Sequence, residues 1–206
     1  MPELQSPLDA FLKWEKQIPN QIFLNQPVNG KNISYTFARA GEEARKIASA
    51  LKGYNLPEHS HVALLSKNCA HWILSDLAIM MAGCVSIPIY PTLSADSVNQ
   101  ILVHSESKAI IVGKLDKFES QKTGIPDIHK ISVGLYGENE GDLWEDIILN
   151  EQKLEQVYIQ KPDDLITIIY TSGTTGTPKG VMHSVNNFMV TAHTGKTMFS
   201  IPNHSK

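Results

Sequence analysis

YTSGTTGTPKG, residues 170–180, sets the hydroxyls of Thr171, Ser172, Thr174, Thr175 and Thr177 beside three glycines and Lys179 within one connection. Gly173, Gly176 and Gly180 carry no Cβ, so backbone N–H groups can turn toward an anion and approach it closely. Lys179 adds a positive charge suited to phosphate oxygens, and Pro178 biases Thr177 toward an extended conformation. Composition alone also allows a plain Gly/Thr-rich surface loop. The stretch is not a Walker loop, because GxxxxGK[ST] does not occur. The nearest imitation, Gly195-Lys196-Thr197, has Val190 where the first glycine belongs and falls inside a predicted helix.

An apolar run at residues 165–170 precedes the loop, and Ser184 behind it can cap a helix through Phe188, Val190 and Ala192. Strand, loop and helix in that order form the arrangement a phosphate site needs. Further upstream, short apolar runs at 62–65, 85–90, 109–112 and 128–135 read as strands. Between them lie two helical patterns. Ala70, Ile73, Leu74, Leu77 and Met81 follow a candidate Asn68 cap, and Val98, Ile101 and Leu102 follow Ser94. The alternation predicts an α/β fold with a mostly parallel sheet and flanking helices. Polar stretches at 114–124 and 137–141 read as surface loops.

The first 60 residues read as a lead-in. Ser6 can cap a helix with Pro7 at its first position, Asp9 in its first turn, and Leu8, Phe11, Leu12 and Trp14 for docking. Ile22 to Leu24 and Ile33 to Tyr35 flank Asn29-Gly30, a pair that tolerates positive φ and so predicts a hairpin. From Thr36 the period changes to helical: Phe37, Ala40, Ala44, Ile47, Ala48 and Leu51 share a face that Gly53 is placed to end. Glu42, Glu43, Arg45 and Lys46 on the opposite face read as solvated.

Bulk properties narrow the function. With 206 residues and 42% apolar content the chain can bury a sizeable core. Its formal charge of -3, from 18 basic and 21 acidic residues, lacks the footprint of a nucleic-acid or anionic-membrane binder, so any anion must be held locally. Cys69 and Cys84 sit in apolar segments without ligand spacing and read as buried thiols, and the scattered histidines, His59 and His61 included, offer no metal site. The stretch 72–90 is apolar enough to suggest a membrane span, but Asp76, Gly83 and Pro88 interrupt it, and a buried helix followed by a buried strand fits better. Met1-Pro2-Glu3 has no basic flank or apolar run of a signal peptide, which predicts a cytoplasmic protein with the sequons at Asn32 and Asn203 unused.

The ordered string YTSGTTGTPKG closely resembles the phosphate loop of the adenylate-forming family: acyl-CoA synthetases, luciferases and peptide-synthetase adenylation domains. The resemblance extends to ISYTFARAGEEARKIASALKG, VALLSKNCAHWILSDLAIMMAG and VSIPIYPTLSADSVNQILVHSESKAIIV, and so covers nearly the whole chain. IPIYPTLS with the helix ending HSESK is most similar to long-chain fatty acid CoA ligases. It implies that residues 1–206 form the N-terminal part of the large AMP-binding domain. Residues 1–60 would be its lead-in and 61–206 an α/β unit ending in the phosphate loop and following helix, without the rest of that domain or the C-terminal domain.

The resemblance also implies a two-step reaction: a fatty carboxylate attacks the α phosphorus of ATP, pyrophosphate departs, and the coenzyme A thiol then takes the acyl group from AMP. Thr171, Ser172, Gly173, Thr174, Thr175, Gly176, Thr177, Lys179 and Gly180 would hold the β and γ phosphates. Thr171 would lie nearest a magnesium ion, and none of these residues would act as acid or base. Fatty acid, ATP and coenzyme A are the implied partners, with peripheral membrane contact left open. One departure is local: where the family continues after GVM with a hydroxyl residue, His and, two further on, Asn, this chain has Ser184, Val185 and Asn187, with His183 displaced. The family's Tyr-Gly-x-Thr-Glu, Thr-Gly-Asp and late lysine are missing, and Tyr136-Gly137-Glu138-Asn139-Glu140 imitates the first only before the loop. The chain alone is therefore expected to be inactive. Activation of an aryl, short-chain or amino acid, and a non-catalytic nucleotide- or phosphate-binding module, stay open as alternatives.

Overall fold

The computed structural model describes residues 6–171 and 178–191. Its first helix, α1 (Pro7–Gln17), starts where the sequence predicts: Ser6 Oγ accepts from Asp9 N at 3.0 Å, and Asp9 returns the bond to Ser6 N. Leu8 and Phe11 are buried, while Trp14 is half exposed instead of docking. Strands β1 (Ile22–Val28) and β2 (Lys31–Thr36) form the expected antiparallel hairpin. Asn29 and Gly30 both take positive φ, 48° and 77°, the turn whose twist matches the flanking strands.

Helix α2 (Phe37–Gly53) is capped by Thr36, and its polar face departs from the expected solvated surface. Glu43 is buried, bonds Arg39 at 2.9 Å and accepts from Trp144 Nε1. Arg45 grips Glu15 of α1 through two bonds of 2.6 and 2.7 Å, and Lys46 donates to the Ile148 carbonyl. A helix pattern shows one apolar stripe but cannot show that other elements flank it on both sides. The chain continues helical through Gly53 and ends on Tyr54.

Next come β3 (His61–Leu65), α3 (Ala70–Met81), β4 (Val85–Ile89), α4 (Ala95–His104) and β5 (Ala109–Val112). These follow the predicted alternation, and Ser94 caps α4 through Ser97 N. Asn68 does not cap α3. The position belongs to Cys69, which makes no side-chain cap bond, and the Ala70 N–H is met by Gln26 Oε1 from the hairpin at 2.9 Å. Cys84 is buried as expected, whereas Cys69 is partly exposed.

Residues 114–124 are more than a surface loop. They contain α5 (Phe118–Gln121) and a 3-10 turn, with Phe118 buried and Gln121 Nε2 holding the Pro91 and Leu93 carbonyls. Strand β6 (His129–Ser132) is shorter than the apolar run because residues 134–136 coil into a 3-10 turn. Then follow β7 (Asp142–Leu143), α6 (Trp144–Asn150), β8 (Leu165–Thr171) and β9 (Lys179–Ser184). Strand β9 corrects the predicted order of strand, loop and helix: a second, antiparallel strand intervenes before the helix that begins at residue 185.

Among the described residues the main sheet runs β7-β6-β5-β3-β4-β8-β9, parallel except for the β8–β9 pair. Side chains alternate across it. Val62 and Leu64 join the core under α1, α2, α3 and α6, while Ala63 and Leu65 join the core under α4 and α5. Burial on both faces explains why the strands read as unbroken apolar runs. No helix among the described residues is long and apolar enough to cross a membrane, and the stretch 72–90 divides into buried α3 and buried β4.

Candidate functional site

The parallel strands point their carboxyl ends to one edge of the sheet, where open α/β sheets bind ligands in the crevice outside the strands. Strand β8 ends there at Thr171 and β9 returns from Lys179. Thr171 and Lys179 are register partners, followed by Tyr170 with Gly180 and Ile169 with Val181. The stretch 170–180 is thus the connection of a hairpin whose stem rises from the sheet's carboxyl edge.

Three of the nine sequence-predicted site residues lie in the described stem: Thr171, Lys179 and Gly180. Ser172, Gly173, Thr174, Thr175, Gly176 and Thr177 lie outside the described residues, as do Ala192 and the Gly195-Lys196-Thr197 imitation. The three stem residues are exposed, and the Lys179 ammonium makes no ion pair or hydrogen bond among the described residues. Gly180 is needed for close approach: a Cβ there would lie 2.7 Å from Ile168 Cγ2 and 3.2 Å from Tyr170 Cζ. Those neighbours are the inward-facing residues of β8, so the glycine lets β9 sit tight on its partner.

The helix after the stem begins at Val185, with Ser184 Oγ accepting from Asn187 N as expected. Val185, which stands at the family's histidine position, is buried with Ile166 and Met189. It serves packing. His183 faces Thr167 in the β8–β9 register, so it is a strand residue. Tyr136 of the false motif bonds buried His71 at 2.9 Å, and burial pulls His71 down to about 4. That cluster is structural. Among the described residues no group of three His, Cys, Asp or Glu side chains is placed to hold a metal ion.

Beside the stem lies a groove of about 480 Å³ between α3 and the face of β4 and β8, lined by Trp72, Ile73, Met80, Pro88 and Ile169 among others. Its one carboxyl is Asp76, which burial pushes up to about 6, with Ser86 acting in the opposite sense. The sequence flagged Asp76 only as an interruption of an apolar stretch; that interruption was the available signal. The raised value fixes a sign. An acid whose folded value exceeds its unfolded one costs stability as pH rises from about 4 to about 6, after which the cost is constant. Asp76→Asn is therefore expected to stabilise the chain at pH 7 by about 1–2 kcal/mol, counting the carboxyl's partial exposure to the groove, and to leave it unchanged near pH 3.5. Urea unfolding at the two pH values measures both, and a loss of stability at pH 7 would contradict the assignment.

Comparison with known proteins adds the following. Residues 11–204 match the family described as AMP-binding enzyme. Long chain acyl-CoA synthetase 5 of Arabidopsis thaliana is 31% identical over 95% of this chain and 32% of its own length. Fatty acyl-CoA synthetase A of Dictyostelium discoideum is 32% identical over 78% of the chain and 26% of its own length. Among solved structures, the anthranilate CoA ligase AuaEII in complex with anthranoyl-AMP superposes with a TM-score of 0.77 at 25% identity, over 94% of this chain and 37% of that one. The chain thus spans about a third of the length of the curated relatives it matches.

Proposed function

The chain belongs to the AMP-binding enzyme family, and from that premise we propose that its full-length protein activates a fatty carboxylate to acyl-AMP and transfers the acyl group to coenzyme A. Residues 1–206 would be the N-terminal part of the large domain, contributing the phosphate-binding loop. The single observation that carries the reading is the hairpin stem at the carboxyl edge of the sheet, with Thr171 and Lys179 opposed at its mouth and the Lys179 ammonium without a partner among the described residues.

A carboxylate is a poor acyl donor because its leaving group would be oxide. Coupling to AMP supplies a better one. In such transfers positioning and charge neutralisation dominate. Lys179 brings a charge with no competing partner among the described residues, and backbone N–H groups of the glycine-rich connection would receive phosphate oxygens. Thr171 offers one exposed hydroxyl oxygen, which fits a magnesium ion that keeps most of its ligands from water and phosphates. When bound, that ion would neutralise phosphate charge. The remaining proposed contacts, Ser172 to Thr177, complete the donor set. The reading includes a cytoplasmic enzyme with at most peripheral membrane contact.

The long-chain substrate is supported by the synthetases that resemble this chain; the superposition on an anthranilate ligase favours an aryl acid as second reading. Carboxylate-dependent exchange of labelled pyrophosphate into ATP by the full-length protein separates them. Exchange with palmitate above that with benzoate is expected. The reverse order would move the substrate to aryl acids, and no exchange with any carboxylate would leave a non-catalytic phosphate-binding module. Residues 1–206 alone are expected to give no exchange in the same assay.

A further inference from the structure

Tyr170, the residue before Thr171, has its ring buried on the sheet face that α4 covers, at 4% exposure. Its register partner is Gly180, and a Cβ on that glycine would stand 3.2 and 3.4 Å from the ring's Cζ and Cε2. The ring therefore lies across the bare Cα of its own partner, joining both strands of the stem. Its hydroxyl reaches beyond the sheet: His104 Nδ1, on the last residue of α4, is 2.7 Å away, with the two rings 5.7 Å apart and nearly perpendicular. Burial raises the tyrosine's pKa, so the phenol stays protonated and available for that bond.

A phenylalanine would fill the same volume in this core. The hydroxyl adds one connection that packing does not require, from the root of the phosphate loop to the C-terminus of α4. Any rotation of the Tyr170 ring would be felt at Thr171, the next residue, and across the ladder at Gly180 and Lys179.

We propose that His104 is a positioning residue for the phosphate loop, acting through the Tyr170 hydroxyl. This rests on the adenylation reading for its catalytic consequence, though not for the contact itself. Phosphate donors act best when fixed before the substrate arrives. His104 touches no substrate; it sets the direction in which the stem presents Thr171 and Lys179.

The test uses the full-length protein with His104→Ala, His104→Asn, Tyr170→Phe and the double variant His104→Ala/Tyr170→Phe. His104→Ala and Tyr170→Phe are each expected to lower kcat/KM for ATP in pyrophosphate exchange about tenfold, the scale of one lost hydrogen bond. Thioester formation from supplied acyl adenylate should be unaffected. His104→Asn, whose amide can reach the same hydroxyl, should recover most of the loss, and the double variant should be no worse than either single one. Amide hydrogen exchange across the stem pairs Tyr170–Gly180 and Thr171–Lys179, of which alternate pairs carry the ladder bonds, reads the stem without catalysis; the protected pair should exchange about tenfold faster in His104→Ala while Leu64 is unchanged. Parent-like exchange at the protected stem pair, equal slowing of both half-reactions, or additive losses in the double variant would each overturn the inference. If no variant or parent supports pyrophosphate exchange, the adenylation reading fails and the catalytic half of this inference goes with it, while the amide measurement still decides the contact.

Discussion

Lys179→Ala in the full-length protein is expected to slow acyl-adenylate formation about 100-fold, the usual scale for removing one preorganised donor from a developing charge. Lys179 opens β9, sits opposite Thr171 at the mouth of the stem, and has no partner among the described residues. Removing its side chain therefore breaks no bond among the described residues, and the described fold should be unaffected. The effect should fall on the step that expels pyrophosphate. Thioester formation from supplied acyl adenylate involves no β or γ phosphate and should keep most of its rate. Lys179→Arg should retain part of the activity, because the charge survives while the compact ammonium is lost. Rapid-quench measurement of the two half-reactions checks the split; equal slowing of both would count against a phosphate role.

Trp144→Ala should damage the fold severely, costing about 3–5 kcal/mol. Trp144 is 2% exposed at the start of α6, and its indole lies edge-on to His71 with centroids 5.2 Å apart. Its Nε1 donates to Glu43 Oε2 at 3.4 Å. Truncation opens a cavity among α2, α3 and α6 and also removes a donor from a buried carboxylate that, among the described residues, keeps only Arg39. Trp144→Phe keeps most of the ring but not the donor, so it should cost less. Urea unfolding of the three proteins gives the ordering, and a loss below about 1 kcal/mol for the alanine variant would mean the cavity collapses.

Much of the architecture was legible because it rests on local rules. Ser6, Ser94 and Ser184 cap helices where their spacing to the following apolar residues says they should. Asn29-Gly30 makes its hairpin, and the strand runs at 62–65 and 109–112 are strands in the structure. The misses concern partners distant in sequence. Glu43, Arg45 and Lys46 look like a wet helix face until α1 and α6 arrive on either side. The side chain serving the α3 N-terminus comes from Gln26, 44 residues earlier. Strand β9 was hidden because KGVMHS, exposed at Val181 and Met182, shows neither an unbroken apolar run nor an alternating pattern.

The candidate site divides in the same way. Gly180, Lys179 and the hydroxyls can be proposed from sequence because an anion-binding loop needs those residue types close together in the chain. Their anchoring is not, since His104 and Tyr170 stand 66 residues apart and meet only because α4 packs on the face of β8. The sequence by itself determined the lead-in helices and hairpin, the central strands and the residue types of the connection, through turn stereochemistry, capping and the period of apolar residues. Only the tertiary structure decided that this connection is the mouth of a β8–β9 hairpin, tied by one hydroxyl to a neighbouring helix. Side-chain contacts across a sheet depend on strand order and register, which no local pattern encodes.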